Sequence, residues 1–351
     1  MPTELSSVEF STYLWSRMYA GLQLVTMREK GESGVADLKF NFMRSHGAKH
    51  FIAGLKKLGI DKDPPAIAAA KYHYLSNCAV GAVDMEYAEE GPKKAWIRYL
   101  APAWAYPGSG LLAIPASTQI GAFRAWHQNN GTWLGCPRLG YVCTKLYQHG
   151  APYDEGYFIE YDHDITYDEA LKFETVDRSP GFDPAIAPRL DEAEWPLERL
   201  AKARRRYAEG YTAGPVGVLV RSYGVPYAAY LVAQAARGIG TQYAREIASR
   251  FGCAEKDAPA MARLLSDILS DLGIEHQSRS KDGSFFIERR QFAPLQDGFP
   301  DEIHDAIGEL FPAIIAVLSD KVDFRVAVNG AASSESRTEV WKIEGSATRL
   351  R

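Results

Sequence analysis

Lys94-Ala-Trp-Ile-Arg-Tyr-Leu100, Leu139-Gly-Tyr-Val-Cys-Thr-Lys-Leu-Tyr147 and Glu155-Gly-Tyr-Phe-Ile-Glu-Tyr-Asp162 decide the fold class. Each alternates or concentrates apolar, β-branched and aromatic residues over seven to nine positions, the pattern of a strand with one or both faces buried. Val83, Met85 and Tyr87 alternate with Asp84 and Glu86 just upstream, and the turn residues Glu89-Glu-Gly-Pro-Lys93 join that run to the first of the three. The segment His149-Gly-Ala-Pro-Tyr-Asp154 joins the other two. Between the two hairpins, the spacing predicts a helix over 117–128 that stops at Asn129-Asn130-Gly131, where a left-handed residue can end it. The predicted order is therefore helix, hairpin, helix, hairpin.

The N-terminal part is expected to be helical. Leu5, Val8, Tyr13, Trp15, Leu22 and Val25 form an apolar stripe, the Gly31-Glu-Ser-Gly34 segment reads as a break, and a second helix runs from Asp37 to Leu58. The prolines at 64 and 65 suit the first turn of a third helix, AIAAAKYHYLSNCA. After a proline-rich, acidic stretch at 165–196, read as a linker, a helical pattern covers 197–210, and apolar and small residues continue through 228–251. Helix, hairpin, helix and hairpin then return through 259–344.

Tyr99-Leu-Ala-Pro102 aligns with Gln291-Phe-Ala-Pro294, Phe123 with Phe311, and Phe158-Ile-Glu160 with Lys342-Ile-Glu344, at an offset of about 190 residues. This points to internal duplication. The expected fold is α+β: two pseudo-repeated modules, helices segregated to one face of antiparallel hairpins, packed into one body. The expected division is 1–164 for the N-terminal helices and first module, 165–196 for the linker, and 197–351 for the second half.

Composition narrows the function classes. Apolar residues make up 46% and charged residues 24%, and the net charge of −4 gives no reason to expect nucleic acid. The run Arg204-Arg-Arg206 sits in an amphipathic helical pattern and reads as a solvated face. Four cysteines without a C-x-x-C pair read as free thiols of a reducing compartment. No apolar run approaches the ~20 residues of a membrane span, so a cytoplasmic protein with no membrane partner is expected. There is no Walker loop, nucleophile elbow or H-E-x-x-H, and Gly238-Ile-Gly240 lacks the rest of a dinucleotide fingerprint. Nucleotide cofactors are not expected.

The second module, ending in LFPAIIAVLSDKVDFRVAVNGAASSESRTEVWKIEG at 310–345, resembles the 4-vinyl reductase family of small-molecule-binding domains. It is also similar to the L-2-amino-thiazoline-4-carboxylic acid hydrolases. The resemblance covers 225–345 and, more weakly, 65–164. It implies a fold that holds a small organic ligand beside a hairpin and helix. Those families often carry a G-G-x-x-C turn in the last hairpin. Here that turn reads Ala-Ala-Ser-Ser-Glu-Ser-Arg, so no metal or thiol role and no catalytic residue is carried over.

Two constellations could carry chemistry. His46 and His50, at i and i+4 on one helix face, could share a divalent metal such as zinc or iron, with His73, Asp84 or Glu86 as further ligands. They could equally flank a small-residue contact at Gly47-Ala48 or face solvent. The second constellation is His127, Arg98, Glu160, Asp162 and His163. Histidine would be the acid/base near neutral pH, Glu160 or Asp162 its orienter, and Arg98 the clamp on a substrate carboxylate. The alternative makes Arg98 and Glu160 a cross-strand surface pair. Aromatic residues including Trp96, Trp104, Trp126 and Tyr157 would wall a pocket for a flat or cyclic molecule. Because His127 aligns with Ile315, the first module is expected to hold the site.

The leading expectation is a small-molecule hydrolase, ring-opening enzyme or lyase acting on a cyclic or aromatic carboxylate-bearing substrate. The alternative is a non-catalytic binding or sensor protein of the 4-vinyl reductase type. A third reading is a scaffold whose aromatic surface makes a homodimer.

Overall fold

The structure is a computed structural model and describes residues 3–290, 294, 295, 298–329 and 337–346. The class is mixed α+β with two sheets. The chain divides into two compact units, one of residues 26–207 and one of residues 1–25 with 208–351. This partition differs from the sequence expectation at both ends: residues 1–25 group with the C-terminal half, and 165–196 belongs inside the first of these units.

The N-terminal helix α1 (Thr3–Leu58) is longer than predicted because the expected four-residue break shrinks to one position. Gly31 alone leaves helical geometry, at φ 72° and ψ −170°, a backbone state open to glycine and costly to other residues. Next come α2 (Pro65–Tyr74), which opens on proline as expected and continues into a π-helical turn at Leu75–Val80, and the strands β1 (Met85–Glu89) and β2 (Lys94–Leu100). They are followed by α3 (Gly110–Ala113), α4 (Ala116–Ala125), α5 (Asn130–Leu134), β3 (Leu139–Lys145), β4 (Tyr153–Glu160) and β5 (Leu171–Phe173). The sheet order is β1-β2-β4-β3-β5, antiparallel except that β5 runs parallel to β3.

Strand alternation sorts this sheet's side chains into two faces. Ile97, Tyr99, Tyr141, Asp154 and Phe158 share one face by register, and α2 packs on β2 and β4 there. Trp96, Arg98, Val142, Glu155 and Tyr157 share the other. The segment read as a linker covers that second face. Val176 and Phe182 pack against the buried cluster of Ala88, Trp96, Val142 and Tyr157, and β5 extends the sheet. Val176 and Phe182 are partly buried there, and the apolar surface they cover, at roughly 25 cal/mol per Å², helps to keep an irregular, proline-rich stretch docked.

In the other unit lie α6 (Leu197–Tyr223, its first residues in 26–207), α7 (Val225–Arg250), α8 (Ala258–Asp271), β6 (His276–Lys281), β7 (Ser284–Arg289), α9 (Asp301–Gly308), α10 (Leu310–Leu318), β8 (Val322–Asn329) and β9 (Thr338–Gly345). The sheet order is β6-β7-β9-β8. Asp257 caps α8 by accepting from the Ala260 N–H at 2.9 Å. The buried face of the sheet carries Ile287, Arg289, Glu339, Trp341 and Ile343, with Phe311 of α10 against Trp341 at 4.6 Å between ring centroids. Residues of the first helix belong to this unit: Phe10 meets Phe251 edge-on at 5.0 Å and Tyr19 meets Tyr211 at 5.2 Å. Residues 291–293 and the 330–336 turn, used above for the repeat and for the family resemblance, lie outside the described residues.

Candidate functional site

His127 owes its position to a helix that does not stop where predicted. After α4 the chain makes a tight turn at His127–Asn129 and winds on through α5. The left-handed residue is Gly135, φ 67°, and not Gly131. The extra turn folds the imidazole inward against the sheet. His127 is buried, stacked on His73 with centroids 4.3 Å apart and planes 9° apart, 4.3 Å from Tyr141 and 4.7 Å from Phe123. Its Nε2 lies 3.4 Å from the Tyr99 hydroxyl, and its Nδ1 is buried with no hydrogen-bond partner. Behind it, His73 Nε2 sits 2.9 Å from the Asn130 side-chain nitrogen, and both rings lie parallel to Phe158.

Burial pushes both imidazoles down, His73 to about 3, and His73 adds to the effect on His127. The Asn130 contact opposes this at His73 without reversing it. Two stacked rings in an apolar setting cannot both be charged. The expected role of His127 as a base near neutral pH is therefore corrected. In this site the ring is neutral at pH 7 and acts as a hydrogen-bonding group.

The groups that do titrate near neutrality are Asp154 on β4 and Lys39 on α1. Asp154 is 1% exposed and pairs in register with Tyr99. Its carboxylate accepts from the Tyr147 N–H at 2.8 Å and from Gln119 Nε2 at 2.9 Å. Gln119 accepts in turn from the Tyr106 hydroxyl at 2.7 Å, and the Tyr147 hydroxyl donates to the Tyr99 carbonyl at 2.6 Å. Burial raises Asp154 to about 7 against the opposing pull of these donors and of Lys39. Lys39, 4% exposed, has its ammonium 5.2 Å from the Tyr106 ring centre, and burial lowers it to about 7 although Asp154 favours its charged form. The Tyr141 hydroxyl is buried without a partner, next to Gly156, where any Cβ would collide with it.

Lys39 and Asp154 were missed in the sequence, yet each leaves a trace. Lys39 interrupts the buried stripe of Val35, Leu38, Phe42 and Met43, and Asp154 shares strand parity with Gly156 and Phe158.

The other expected site residues disperse. Arg98 lies on the opposite sheet face from His127, because it neighbours Tyr99 in a strand. Its Nε and Nη2 donate to Glu155 Oε2 at 2.9 and 2.6 Å, and its Nη1 to Glu86 at 2.6 Å. The guanidinium is also sandwiched between Tyr153 and Phe182, 4.0 and 3.9 Å from the ring centres. It is fully engaged and is no clamp for a substrate carboxylate. Burial raises Glu155, but Lys145, Ser179, Arg98 and Thr144 outweigh it and hold the carboxyl below its usual range. Removing one partner of such a buried network costs about 3–5 kcal/mol.

Glu160 bonds Arg138 at 2.6 Å, and Asp162 is exposed and bonds Lys93 at 2.7 Å, so neither orients His127. His163 is exposed beside Tyr161. Among the expected pocket aromatics, Trp126 joins the histidine cluster, 5.4 Å from His73 and 5.1 Å from His46. Trp96 and Tyr157 pack together on the far face, and Trp104 lies edge-on to Tyr207.

His46 and His50 do share a helix face, with ring centroids 4.6 Å apart. Burial, with His50 and Lys49 nearby, pushes His46 down to about 3. Among the described residues, no group of three or more His, Cys, Asp or Glu is placed to hold a metal ion. Of the suggested further ligands, His73 is engaged with Asn130 and Glu86 with Arg98. The Cys143 thiol is pushed up to about 12 by burial and by Asp154, a poor setting for a nucleophile.

A cleft of about 310 Å³ opens beside the segment that follows His127, lined by Gln128, Thr132, Cys136, Leu139, Ile165 and Tyr167 among others. Gln128 donates to the Tyr167 carbonyl at 2.7 Å across it. No helix among the described residues is long and apolar enough to cross a membrane. No protein-family model, curated protein or solved structure matches the chain.

Proposed function

We propose that the protein is an enzyme that opens or hydrolyses a small cyclic or aromatic carboxylate-bearing compound by proton transfer within the 26–207 unit. The observation that carries this reading is a buried polar chain in which Asp154 accepts from Gln119, Gln119 accepts from the Tyr106 hydroxyl and the Tyr106 ring centre lies 5.2 Å from Lys39 Nζ, with burial bringing the acid and the amine both to about 7. Buried groups tuned to the working pH are characteristic of acid/base sites. Asp154 in its acid form is the proton donor. Neutral His127, Tyr99 and Tyr141 offer hydrogen bonds to charge that develops on the substrate.

The comparison between sheets supports the same location. We take β1-β2-β4-β3 and β6-β7-β9-β8 as copies of one duplicated module, because their strand order is the same. Matched by buried sheet face, which shifts β9 by one residue and β7 by two from the sequence alignment above, the register pair Tyr99–Asp154 corresponds to Arg289–Glu339, and Gly156 to Trp341. The second module closes its polar pair: Arg289 Nε and Nη2 donate to Glu339 Oε2 at 2.9 and 2.6 Å, and tryptophan fills the neighbouring space. The first module puts a glycine there and leaves a tyrosine hydroxyl unpartnered.

The test is a panel of ring carboxylates, lactones and cyclic amides followed for consumption by chromatography. One compound should be consumed, and Asp154→Asn should slow it by about 10²-fold or more with binding retained. A second reading, a binding protein of the 4-vinyl reductase type, is favoured by the cleft at Gln128 and Tyr167. A panel member that binds in calorimetry without turnover, and whose affinity falls on Thr132→Trp, would replace the enzyme reading with that one.

A further inference from the structure

Strand β8 (Val322–Asn329) lies at one edge of the β6-β7-β9-β8 sheet, and among the described residues no strand pairs with its outer side. The Ser346 N–H donates to the Lys321 carbonyl at 2.7 Å, which sets the phase of the β8–β9 ladder. Bonded and non-bonded positions alternate in an antiparallel pair, so the backbone N–H and C=O groups of Val322, Phe324, Val326 and Val328 point away from β9. By register, the same four side chains share the sheet face on which Trp341 and Ile343 are buried. Yet Val326 and Val328 are 47% and 40% exposed. Outward-pointing backbone groups beside uncovered valines, in a strand without proline, form an edge on which another strand can be added. In the other sheet, β3 holds the matching place in the order, and β5 pairs with it there.

We infer that β8 pairs antiparallel with β8 of a second copy of this chain, joining the two four-stranded sheets across a two-fold axis at Phe324. The charges of the strand select both the occupant and the register. Outward-facing residues must meet outward-facing residues, so the axis has to pass through a residue position. An axis through Asp323 or Arg325 sets like charges face to face, and one through Val326 gives neither an opposite charge. An axis through Phe324 sets Asp323 against the partner's Arg325 and Arg325 against the partner's Asp323, so one sequence answers its own charges. The Arg325 side chain is 68% exposed and reaches Glu344 and Asp323 of its own chain only at 3.7 and 4.0 Å, which leaves it able to turn to the partner. On the other face, Val322 meets the partner's Val326 and the two Phe324 rings adjoin. The result is one apolar band across the axis, with Val326 no longer at an edge.

The test is sedimentation velocity of the full chain from about 1 to 100 µM, where a concentration-dependent dimer is expected. Val326→Lys changes an exposed position, so it should leave the urea midpoint unchanged and give a monomer throughout. Asp323→Arg and Arg325→Asp each turn two attractive pairs into two repulsive ones, and each should weaken the dimer by about 10-fold or more. Mixing these two single variants should restore association, because every charge at the axis then meets its opposite. Dissociated single variants that do not recover on mixing overturn the register at Phe324. A dimer that Val326→Lys leaves intact overturns the inference. So does a wild type that stays monomeric at the highest concentration. In that case, slow hydrogen exchange at the Phe324 and Val326 amides would assign the edge to a segment of the same chain.

Discussion

Urea denaturation of the wild type and of a Lys39→Met/Asp154→Asn double variant, compared at about pH 5, 7 and 9.5, should separate this buried pair from an ordinary ion pair. Five of the seven tryptophans lie within residues 26–207, so fluorescence chiefly reports that unit. Asp154 rises to about 7 in the fold, so between the unfolded carboxyl value of about 4 and pH 7 the folded chain holds the extra proton. Stability must fall as pH rises through that window. Lys39 drops to about 7, so between pH 7 and about 10.5 the unfolded chain holds the extra proton, and stability must rise with pH.

The two slopes meet in a minimum near pH 7. Each window spans roughly three pH units, and at about 1.4 kcal/mol for each, either arm amounts to about 4 kcal/mol, reduced to about 2 if water reaches the pair. The wild-type minus double-variant difference should therefore be least favourable near pH 7 and improve towards both pH 5 and pH 9.5. A difference that peaks near pH 7 would mean a solvated ion pair, with the carboxyl lowered and the amine raised, and would refute the argument.

Two further outcomes follow from single positions. Gly156→Ala places a Cβ against the Tyr141 hydroxyl and the Val142 carbonyl; because the carbonyl is backbone and cannot swing away, a loss of about 2–3 kcal/mol is expected in the denaturation midpoint. Tyr141→Phe in the same background should recover only part of it. Elemental analysis of desalted protein should find well under about one equivalent of zinc, iron or manganese, since two histidines alone make a weak site. A full equivalent that disappears in His46→Ala would place a metal at that pair.

Much of the architecture was legible because it is local. The strand Lys94–Leu100 coincides with its predicted run and Leu139–Lys145 starts where its run does, since strand patterns bounded by turn residues leave little freedom. The break at Gly31 was overread because one glycine suffices and Glu32 and Ser33 are tolerated in a helix. The 165–196 segment was misassigned for the opposite reason. Val176 and Phe182 dock from irregular backbone, and without a period their burial leaves no pattern.

The site was legible only in part. His127 and the aromatic set were found, but Arg98 was grouped with them although it neighbours Tyr99 and so points to the other face. Both faces of β2 are buried, which hides the parity that would have separated the two residues. Lys39 and Asp154 are 115 positions apart in the numbering, and only the tertiary fold brings a helix lysine to a strand carboxyl. Their polarity at buried positions was visible, but the partner was not.

The unit that contains residues 1–25 and 208–351 is assembled from the two ends of the described chain. During synthesis, the partners of Phe10, Tyr13 and Tyr19, namely Phe251, Glu246 and Tyr211, emerge only after residues 26–207 have been made. At typical elongation rates that is a delay of roughly 10–40 s. The 26–207 unit can complete its sheet in that interval, while an N-terminal helix that the finished fold buries on nearly every side over 8–25 waits uncovered. That helix is the segment of a nascent chain on which a chaperone would act, and an N-terminal truncation should damage the last unit to be made, not the first.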